Sequence, residues 1–437
     1  MGLVRTIRNP ILPGFDPDPS ICRVGGDHYI ATSTFEWYPD VQIHRSRNLV
    51  DWRLVARPLR RASQLDLRGD PDSGGVRAPC LSHADGRFWL VCTDVKRLDG
   101  AFKDAHDFVV TATDVAGDWS EPVHVKSSGF DPTLFHDDDG RKWFLNLLWN
   151  HRASSLGQSP RHSPFGGIVL QEYDASAERL VGEPRIVFTG SERGLAEGPH
   201  LFRRDGRYYL VVAEGGTGYE HAVMHARSRR IDGPYELHPD VHVITADPAN
   251  GGSLQRAGHG QVVETPAGEW YHTHLSGRPL ALDDLARRRC TLGLVAYYGR
   301  HRFHFLQLTR GDEELGRVLR VMSSARATGR AGALTWRPDT PVVVSDGPIA
   351  TRCDVDGDTL RFAWRSADAE AEADGGDGGG ASGWRSIGGM LDASLLADEA
   401  GRGEHASFTG AFLGMLAFDL TGHGRHADFL HFGYEPR

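Results

Sequence analysis

The sequence lacks several features that would place the protein in a specialised class. It contains no apolar run of the ~18 residues needed to span a bilayer. Its five cysteines are widely spaced and form no Cys-x-x-Cys pair, which argues against a disulfide framework or a cysteine zinc site. The opening stretch MGLVRTIRNPILPGF has no apolar core of a secretory signal. We therefore expect a cytoplasmic protein with reduced thiols and no membrane partner.

Charge of one sign is not concentrated in any block of the chain. The 437 residues include 49 basic and 58 acidic ones, which gives a net charge of −9. Without a basic patch, nucleic acid is not expected as a partner. An apolar fraction of 40% and a charged fraction of 24% are ordinary for a globular protein. The length alone predicts two or three domains, and the charge fits a neutral small substrate.

What the sequence does contain is a repeat. A glycine turn followed by an aromatic, apolar run occurs five times, at intervals of 54 to 66 residues. Asp-Gly before such a run is a hairpin signal. The five runs are GGDHYIATS at Gly26, DGRFWLVCT at Gly86, DGRKWFLNL at Gly140, DGRYYLVVA at Gly206 and AGEWYHTHL at Gly268. Units of about four short strands each are typical of a β-propeller, here with five blades.

Four distant residues share one position in this repeat. Asp18, Asp131, Glu197 and His259 each lie eight or nine residues ahead of the glycine of their own unit. Prolines stand beside this position in four units, and proline is tolerated where a strand forms the edge of a sheet. The innermost strand of a propeller blade is such an edge. We therefore expect three carboxylates and one imidazole to converge at one end of the central channel.

The predicted cluster suits the cleavage of a glycosidic bond. Carboxylates that share a pocket raise one another's pKa, so at least one should keep its proton near neutral pH. A protonated acid that faces an ionised base is the pair that glycosidases use, and inverting enzymes hold the two roughly 6.5–9.5 Å apart. Taken singly, Asp18 or Asp131 also fits an Asx turn, Glu197 a solvated loop carboxylate and His259 a structural histidine.

Six motifs, in order, resemble glycoside hydrolase family 43, and most of all its intracellular β-xylosidases. They are NPILPGFDPDPSI, ATSTFEWYPDVQIHRSRNLVDW, GFDPTLFHDDDGRKWFLNLLWNHR, AEGPHL, AEGGTGYEHA and GHGQVVET. The resemblance runs from Asn9 to about Arg289 and resumes in the C-terminal tail. It implies an all-β protein, with a five-bladed β-propeller catalytic domain over residues 1–293 and a C-terminal β-sandwich over residues 294–437.

The resemblance also implies a role for each clustered residue. Asp18 is the expected general base that activates water, Glu197 the general acid that protonates the leaving oxygen, and Asp131 the residue that orients this acid and raises its pKa. The expected substrate contacts are Phe35, Arg77, Thr217 and His259. No cofactor is required and no metal ligand is assigned. Calcium binding is left open, because one histidine beside carboxylates is a weak indication of a metal.

Three positions depart from the family pattern, and they bear on the sugar pocket. Arg77 stands where the family has a tryptophan that forms a wall of the pocket, and Cys80 replaces a histidine. A flexible cation in place of a flat apolar wall should weaken stacking on the sugar. Leu294 stands where the family has an arginine that contacts the substrate.

The resemblance is interrupted near Leu292–Leu294. After GEWYHTHLSGRP the chain passes directly into a stretch that resembles the middle of the family's sandwich domain. We therefore expect that an internal segment is missing, which would leave blade five incomplete and truncate the sandwich to a half without its facing layer. The acidic, glycine-rich run at residues 366–383 is expected to be a disordered loop.

These observations predict an inverting exo-β-1,4-xylosidase that releases xylose from short xylo-oligosaccharides. An α-L-arabinofuranosidase is an alternative, since the family mixes pentosidases. A degenerate, inactive sugar-binding remnant is a second alternative, which Arg77 and the missing arginine favour and the intact carboxylates oppose. A small oligosaccharide is the expected partner, and homo-oligomerisation is left open.

Overall fold

The computed structural model describes residues 6–98, 103–150, 165–246, 254–277, 295–299, 302–310, 316–324, 334–337, 339–366, 383–396, 411–416 and 429–433. The described residues form β-strands and one short 3-10 helix, Ala393–Leu396. None of their helical structure is long and apolar enough to cross a bilayer. The chain divides into two compact units, Met1–Pro279 and Leu280–Arg437. The predicted domain boundary after residue 293 lies outside the described residues.

The first unit contains four sheets of four antiparallel strands, in which neighbours along the chain are neighbours in the sheet. The first sheet holds β1 (Ser20–Val24), β2 (Asp27–Thr32), β3 (Gln42–Ser46) and β4 (Arg53–Ala56). The second holds β5 (Gly75–Ala84), β6 (Arg87–Val95), β7 (Ala105–Ala112) and β8 (Val123–Ser127). The third holds β9 (Phe130–His136), β10 (Lys142–Trp149), β11 (Phe165–Asp174) and β12 (Arg179–Phe188). The fourth holds β13 (Glu197–Arg204), β14 (Arg207–Glu214), β15 (Ala222–Ser228) and β16 (Glu236–Thr245).

A fifth sheet pairs β17 (Gln255–Glu264) with β18 (Trp270–Gly277). The first strands of the five sheets lie side by side in chain order, and β17 in turn contacts β1. Gln261 closes this ring, because its Oε1 accepts hydrogen bonds from Ser20 Oγ at 2.8 Å and from the Ile21 N–H at 2.9 Å. Sheets arranged around a closed ring of inner strands form a β-propeller, so the predicted propeller fold of this unit fits the structure.

The predicted hairpins join the first two strands of each sheet. Asp205 and Gly206 link β13 to β14 with φ of 49° and 70°, the positive values that an Asp-Gly hairpin turn adopts. Apolar side chains from adjacent sheets then pack together between them. Ile43 of the first sheet and Leu90 of the second belong to one core cluster, and both are fully buried. Burial between the sheets therefore fixes the blades around the ring.

The second unit contains two sheets. The strands of the larger one are β19 (Val295–Gly299), β20 (Arg302–Arg310), β21 (Arg317–Ser324), β22 (Leu334–Trp336), β23 (Val342–Val343) and β27 (Phe412–Gly414). They have the order β22, β21, β20, β19, β27, with β23 paired to β21. The smaller one holds β24 (Ile349–Asp356), β25 (Thr359–Ser366) and β26 (Arg385–Asp392).

The two sheets of the second unit share one core. Leu319 and Val321 of the larger sheet and Leu360 and Phe362 of the smaller one are fully buried in the same cluster. The expectation that the sandwich lacks a facing layer is therefore wrong for the described residues, since β24 to β26 supply that layer. The predicted acidic loop, apart from its two end residues, lies outside the described part of the chain.

Candidate active site

A kink recurs within the inner strands or just before them. Asp18, Ala78, Asp131, Gly198 and His259 have φ of 53°, 47°, 58°, 57° and 42°. The strand register shifts at this position in β5, β9, β13 and β17. Positive φ is uncommon for residues other than glycine, and a bulge of this kind turns a side chain in a new direction. The shared kink matches the position that the repeat predicts for Asp18, Asp131 and His259.

In the fourth sheet the kinked residue is Gly198, whereas the sequence pattern assigned this position to Glu197. A Cβ on Gly198 would lie 2.9 Å from Nε2 of His259, so the imidazole occupies the space of a side chain. The Gly198 N–H instead donates to Oδ2 of Asp131 at 3.1 Å. Glu197 thus takes the position that Arg77 has in the second sheet. The predicted alignment of Glu197 with the other acids is one residue off.

Asp18 lies between the first, second and fifth sheets. Its Oδ2 accepts a hydrogen bond from Ser33 Oγ at 2.7 Å, and Ser33 Oγ accepts one from the Ala78 N–H at 2.7 Å. Nδ1 of His259 lies 3.4 Å from Oδ1 of Asp18. The Asp18 side chain keeps 14% of its surface exposed, so it is fixed in place yet open to a water molecule.

Asp131 is buried in the site, and Glu197 is half-buried. Burial raises the pKa of Asp131 to about 6; His259 and Arg77 oppose this rise, and the charge of Asp18 adds to it. Burial raises the pKa of Glu197 well above its ordinary value, and the charges of Asp131 and Asp18 raise it further. This rise favours the protonated form of Glu197, which is the form that can donate a proton.

Phe35 and Arg77 lie together at the same end of the ring. Phe35, which is buried, exchanges backbone hydrogen bonds with Val76 of β5 at 2.8 and 3.0 Å. The Arg77 guanidinium donates to the carbonyl of Ser73, and its Cζ lies 5.1 Å from the centre of the Phe35 ring. Burial lowers the pKa of Arg77, while Asp131, Asp18 and Glu197 raise it. The guanidinium thus faces the carboxylates and stacks on Phe35.

Thr217 lies at the surface. It is exposed in the turn between β14 and β15. In the part of the chain that the structure describes, no hydrogen bond or ion pair joins Thr217 to the carboxylates. The structure therefore brings together six of the seven predicted residues and leaves Thr217 at the surface.

Lys103 is a site residue that sequence reasoning missed. Its Nζ lies 4.7 Å from the ring centre of Trp149 and 6.0 Å from that of Phe130. Burial lowers the pKa of Lys103 to about 8, with a contribution from Arg77, whereas Glu197 and Asp131 oppose this fall. Lys103 precedes β7 in no recognisable motif, so its proximity to the acids had no signal in the sequence.

A metal site requires a particular arrangement of ligating side chains. Within the described ranges, no group of three or more His, Cys, Asp or Glu side chains has the arrangement of a metal site. Calcium binding near His259 stays a prediction. What the described residues do form is a group of three carboxyl side chains, Asp18, Asp131 and Glu197, with the side chains of Arg77 and Lys103 beside them.

Comparison with known families gives two matches along the chain. Residues 7–301 match the profile of glycosyl hydrolases family 43. Residues 286–435 match the profile of the beta xylosidase C-terminal Concanavalin A-like domain. Together they cover both units, and they overlap at the junction between them.

Individual relatives agree with these matches. The chain is 41% identical over 547 residues to the Xylosidase/arabinosidase 43B of Humicola insolens, with 98% of each chain covered. It is 55% identical over 291 residues to the Beta-xylosidase of Bacillus subtilis (strain 168), which covers 66% of this chain and 53% of that protein. This second match therefore spans about half the length of the bacterial relative.

A solved structure extends the similarity to the fold. The crystal structure of xylan beta-1,4-xylosidase from Bacillus halodurans C-125 is similar to this chain with a TM-score of 0.82 at 35% identity. The similarity covers 96% of this chain and 98% of that one. The family profiles and the solved structure thus both agree with a propeller that is followed by a sandwich.

Proposed function

Because the chain belongs to glycosyl hydrolase family 43, we propose that it is an inverting exo-β-1,4-xylosidase that releases xylose from short xylo-oligosaccharides. The observation that carries this proposal is the half-buried Glu197 beside Asp131 and Asp18, whose charges add to the rise that desolvation causes in its pKa. The names of the Bacillus subtilis and Bacillus halodurans proteins support the same activity.

The proposed reaction uses two proton transfers, one from the attacking water and one to the leaving oxygen. Asp18 takes a proton from a water molecule, whose oxygen forms a bond to the anomeric carbon of xylose. The bond from that carbon to the leaving oxygen breaks, and Glu197 gives its proton to this oxygen. Asp131 contacts the Gly198 N–H beside the acid and adds to its pKa. Direct attack by water inverts the configuration at the anomeric carbon.

The proposed roles of Asp18 and Glu197 should be visible in the turnover rate. Purified protein should hydrolyse 4-nitrophenyl β-D-xyloside, and Asp18→Asn or Glu197→Gln should each lower kcat by about 10²–10⁴-fold, the usual contribution of a general base or acid. Asp137→Asn is the matched control, because Asp137 is a buried carboxylate at the β9–β10 turn, away from the kinked end of β9. It should leave kcat unchanged.

Two results would redirect this proposal. Faster turnover of 4-nitrophenyl α-L-arabinofuranoside would favour the arabinofuranosidase alternative, which the name of the Humicola insolens relative also includes. No turnover of either substrate, with Asp18→Asn indistinguishable from the wild type, would support an inactive remnant. The anomer of the first product, followed by NMR, tests inversion.

We also infer that the fifth sheet is the inner part of a fifth blade and that an internal segment is missing near Leu292–Leu294. The match to the Humicola insolens protein extends over 547 positions, whereas this chain has 437 residues. All eight residues of β18 are partly exposed, while all but the first of the equivalent β6 are buried. Missing outer strands explain this exposure.

A further inference from the structure

The loop that precedes Glu197 has an unusual backbone. Residues 189–196 connect β12 to β13, and Glu197 follows directly. Gly190, Gly194 and Leu195 have φ of 87°, 75° and 59°. A positive φ at a leucine is strained, so this conformation needs interactions from outside the loop to hold it.

Glu214 supplies these interactions. Its side chain is completely buried at the end of β14. Oε1 accepts hydrogen bonds from the N–H groups of Ser191 at 2.6 Å and Gly194 at 3.2 Å. Oε2 accepts one from Ser191 Oγ at 2.6 Å and lies 2.8 Å from Nε2 of His242. Four polar contacts satisfy this carboxylate, and three of them come from the loop.

The same region of β14 contacts the strand that carries the acid. Ala213, next to Glu214, pairs with Glu197 across the β13–β14 ladder. The Gly215 N–H donates to the carbonyl of Gly194 at 2.9 Å. A Cβ on Gly190 would lie 2.8 Å from Oε1 of Glu214, so the loop approaches the carboxylate as closely as a glycine allows. Displacement of the Glu214 carboxylate would therefore displace the backbone that leads into Glu197.

We propose that Glu214 is a positioning residue that fixes the place of the general acid Glu197 through the loop at residues 189–196. This proposal rests on the proposed glycosidase function. Glu214 does not touch the substrate in this role. It sets the direction in which Glu197 leaves the loop, while Asp18, Asp131, Arg77 and Lys103 face the acid from the other sheets.

The test compares Glu214→Ala with Glu214→Gln. A glutamine retains the geometry, because its amide oxygen can accept from the N–H groups of Ser191 and Gly194. Its NH₂ group can donate to Ser191 Oγ and to a neutral His242. Alanine removes all four contacts. Asp137→Ala is the control for general loss of stability, since it also removes a buried carboxylate, one that accepts from Tyr208 Oη at 2.8 Å.

With 4-nitrophenyl β-D-xyloside, Glu214→Ala should lower kcat by about 100-fold with little change in KM, the expected effect of a small misplacement of a catalytic group. Its high-pH loss of activity should begin at a lower pH, because an acid displaced toward water loses the burial that raises its pKa. Glu214→Gln should restore kcat to within about threefold of the wild type. Asp137→Ala should lower the melting temperature but not kcat.

Hydrogen exchange gives a readout that needs no turnover. The backbone amides of Ser191 and Gly194 should exchange faster in Glu214→Ala than in Glu214→Gln or Asp137→Ala. A Glu214→Ala variant with wild-type kcat would overturn the positioning role and leave the glycosidase proposal intact. A wild type inactive on both nitrophenyl substrates would overturn the proposed function. Unchanged exchange in Glu214→Ala would then overturn the anchoring role as well.

Discussion

At the scale of single residues, the charges of the site come close to balance. When Glu197 holds its proton, the other two carboxyl groups of the site are Asp18 and Asp131, and the cationic side chains are Arg77 and Lys103. A site without a large net charge suits a neutral sugar, because it neither attracts nor repels ions strongly. Arg77 therefore does more than disturb a wall of the pocket, since its charge offsets that of the acids.

Asp131 should lower the stability of the protein at neutral pH. Its pKa rises from 3.8 to about 6 on folding, so the folded state binds the proton more tightly than the unfolded state. The free energy of unfolding therefore falls as pH rises from about 4 through 6. We predict that Asp131→Asn is inactive but more stable than the wild type at pH 8, by about 1–3 kcal/mol.

Thermal melts at pH 4 and pH 8 test this prediction, because the difference should be small at pH 4 and large at pH 8. Asp139→Asn is a control of opposite sign. Hydrogen bonds from the backbone and side chain of Arg141 lower the pKa of the exposed Asp139, so its removal should not stabilise the protein at pH 8. An Asp131→Asn variant that melts below the wild type at pH 8 would contradict the prediction.

At the scale of elements, the inner strands use one kink for different purposes. Asp18, Asp131 and His259 use it to present a side chain to the site, whereas Gly198 uses it to leave space for His259. The site therefore depends on the absence of a side chain at Gly198 as much as on the side chains of the other three residues. The same frame explains why Glu197 lies one residue earlier in its strand.

Gly198→Ala should lower both stability and activity. The new Cβ would lie 2.9 Å from Nε2 of His259, and the hydrogen bond from the Gly198 N–H to Asp131 would be disturbed. Gly206→Ala is a matched control, since Gly206 also has a positive φ, 70°, but has open space around its Cβ position. The conformational cost alone, about 1–2 kcal/mol, should appear in both variants.

The loss of stability and activity in Gly198→Ala beyond that in Gly206→Ala measures the effect of the contact with His259. Melting temperature and kcat on 4-nitrophenyl β-D-xyloside should both fall more in Gly198→Ala than in Gly206→Ala. Equal melting temperatures with equal kcat would mean that the imidazole moves aside without consequence, and the interpretation of Gly198 would fail.

At the scale of the whole molecule, the ring of five inner strands makes the site. Gln261 joins the fifth sheet to the first through two hydrogen bonds, so the ring closes although β18 has no further partner strand among the described residues. The inner strands are therefore sufficient to close the ring. The outer strands cover apolar surface and strand edges, and they affect stability more than the geometry of the acids.

Insertion of the corresponding segment of the Humicola insolens relative near Leu292–Leu294 should therefore raise the melting temperature by about 4 °C or more, since the edge of β18 gains a partner. Thermal melts of the extended and natural chains measure this change. A spacer of equal length rich in Gly and Ser is the control and should give no gain. A melting temperature that falls with the relative's segment would contradict the inference that the segment is missing.

The sequence by itself determined the strands, the hairpins and the class of chemistry. Local signals are sufficient for these, because Asp-Gly turns and aromatic runs act over a few residues, as at Gly206. The repeat also predicted that Asp18, Asp131 and His259 share a position, and the positive φ of all three is consistent with this.

Only the tertiary structure decided the pKa shifts of the acids. The pKa of Glu197 depends on burial and on charges from other sheets, and no local pattern records which side chains meet across the ring. Lys103, the exposed position of Thr217, the facing layer of the sandwich and the contacts of Glu214 all depend on such encounters. They are set by packing between elements that lie far apart along the chain, and for that reason the sequence could not supply them.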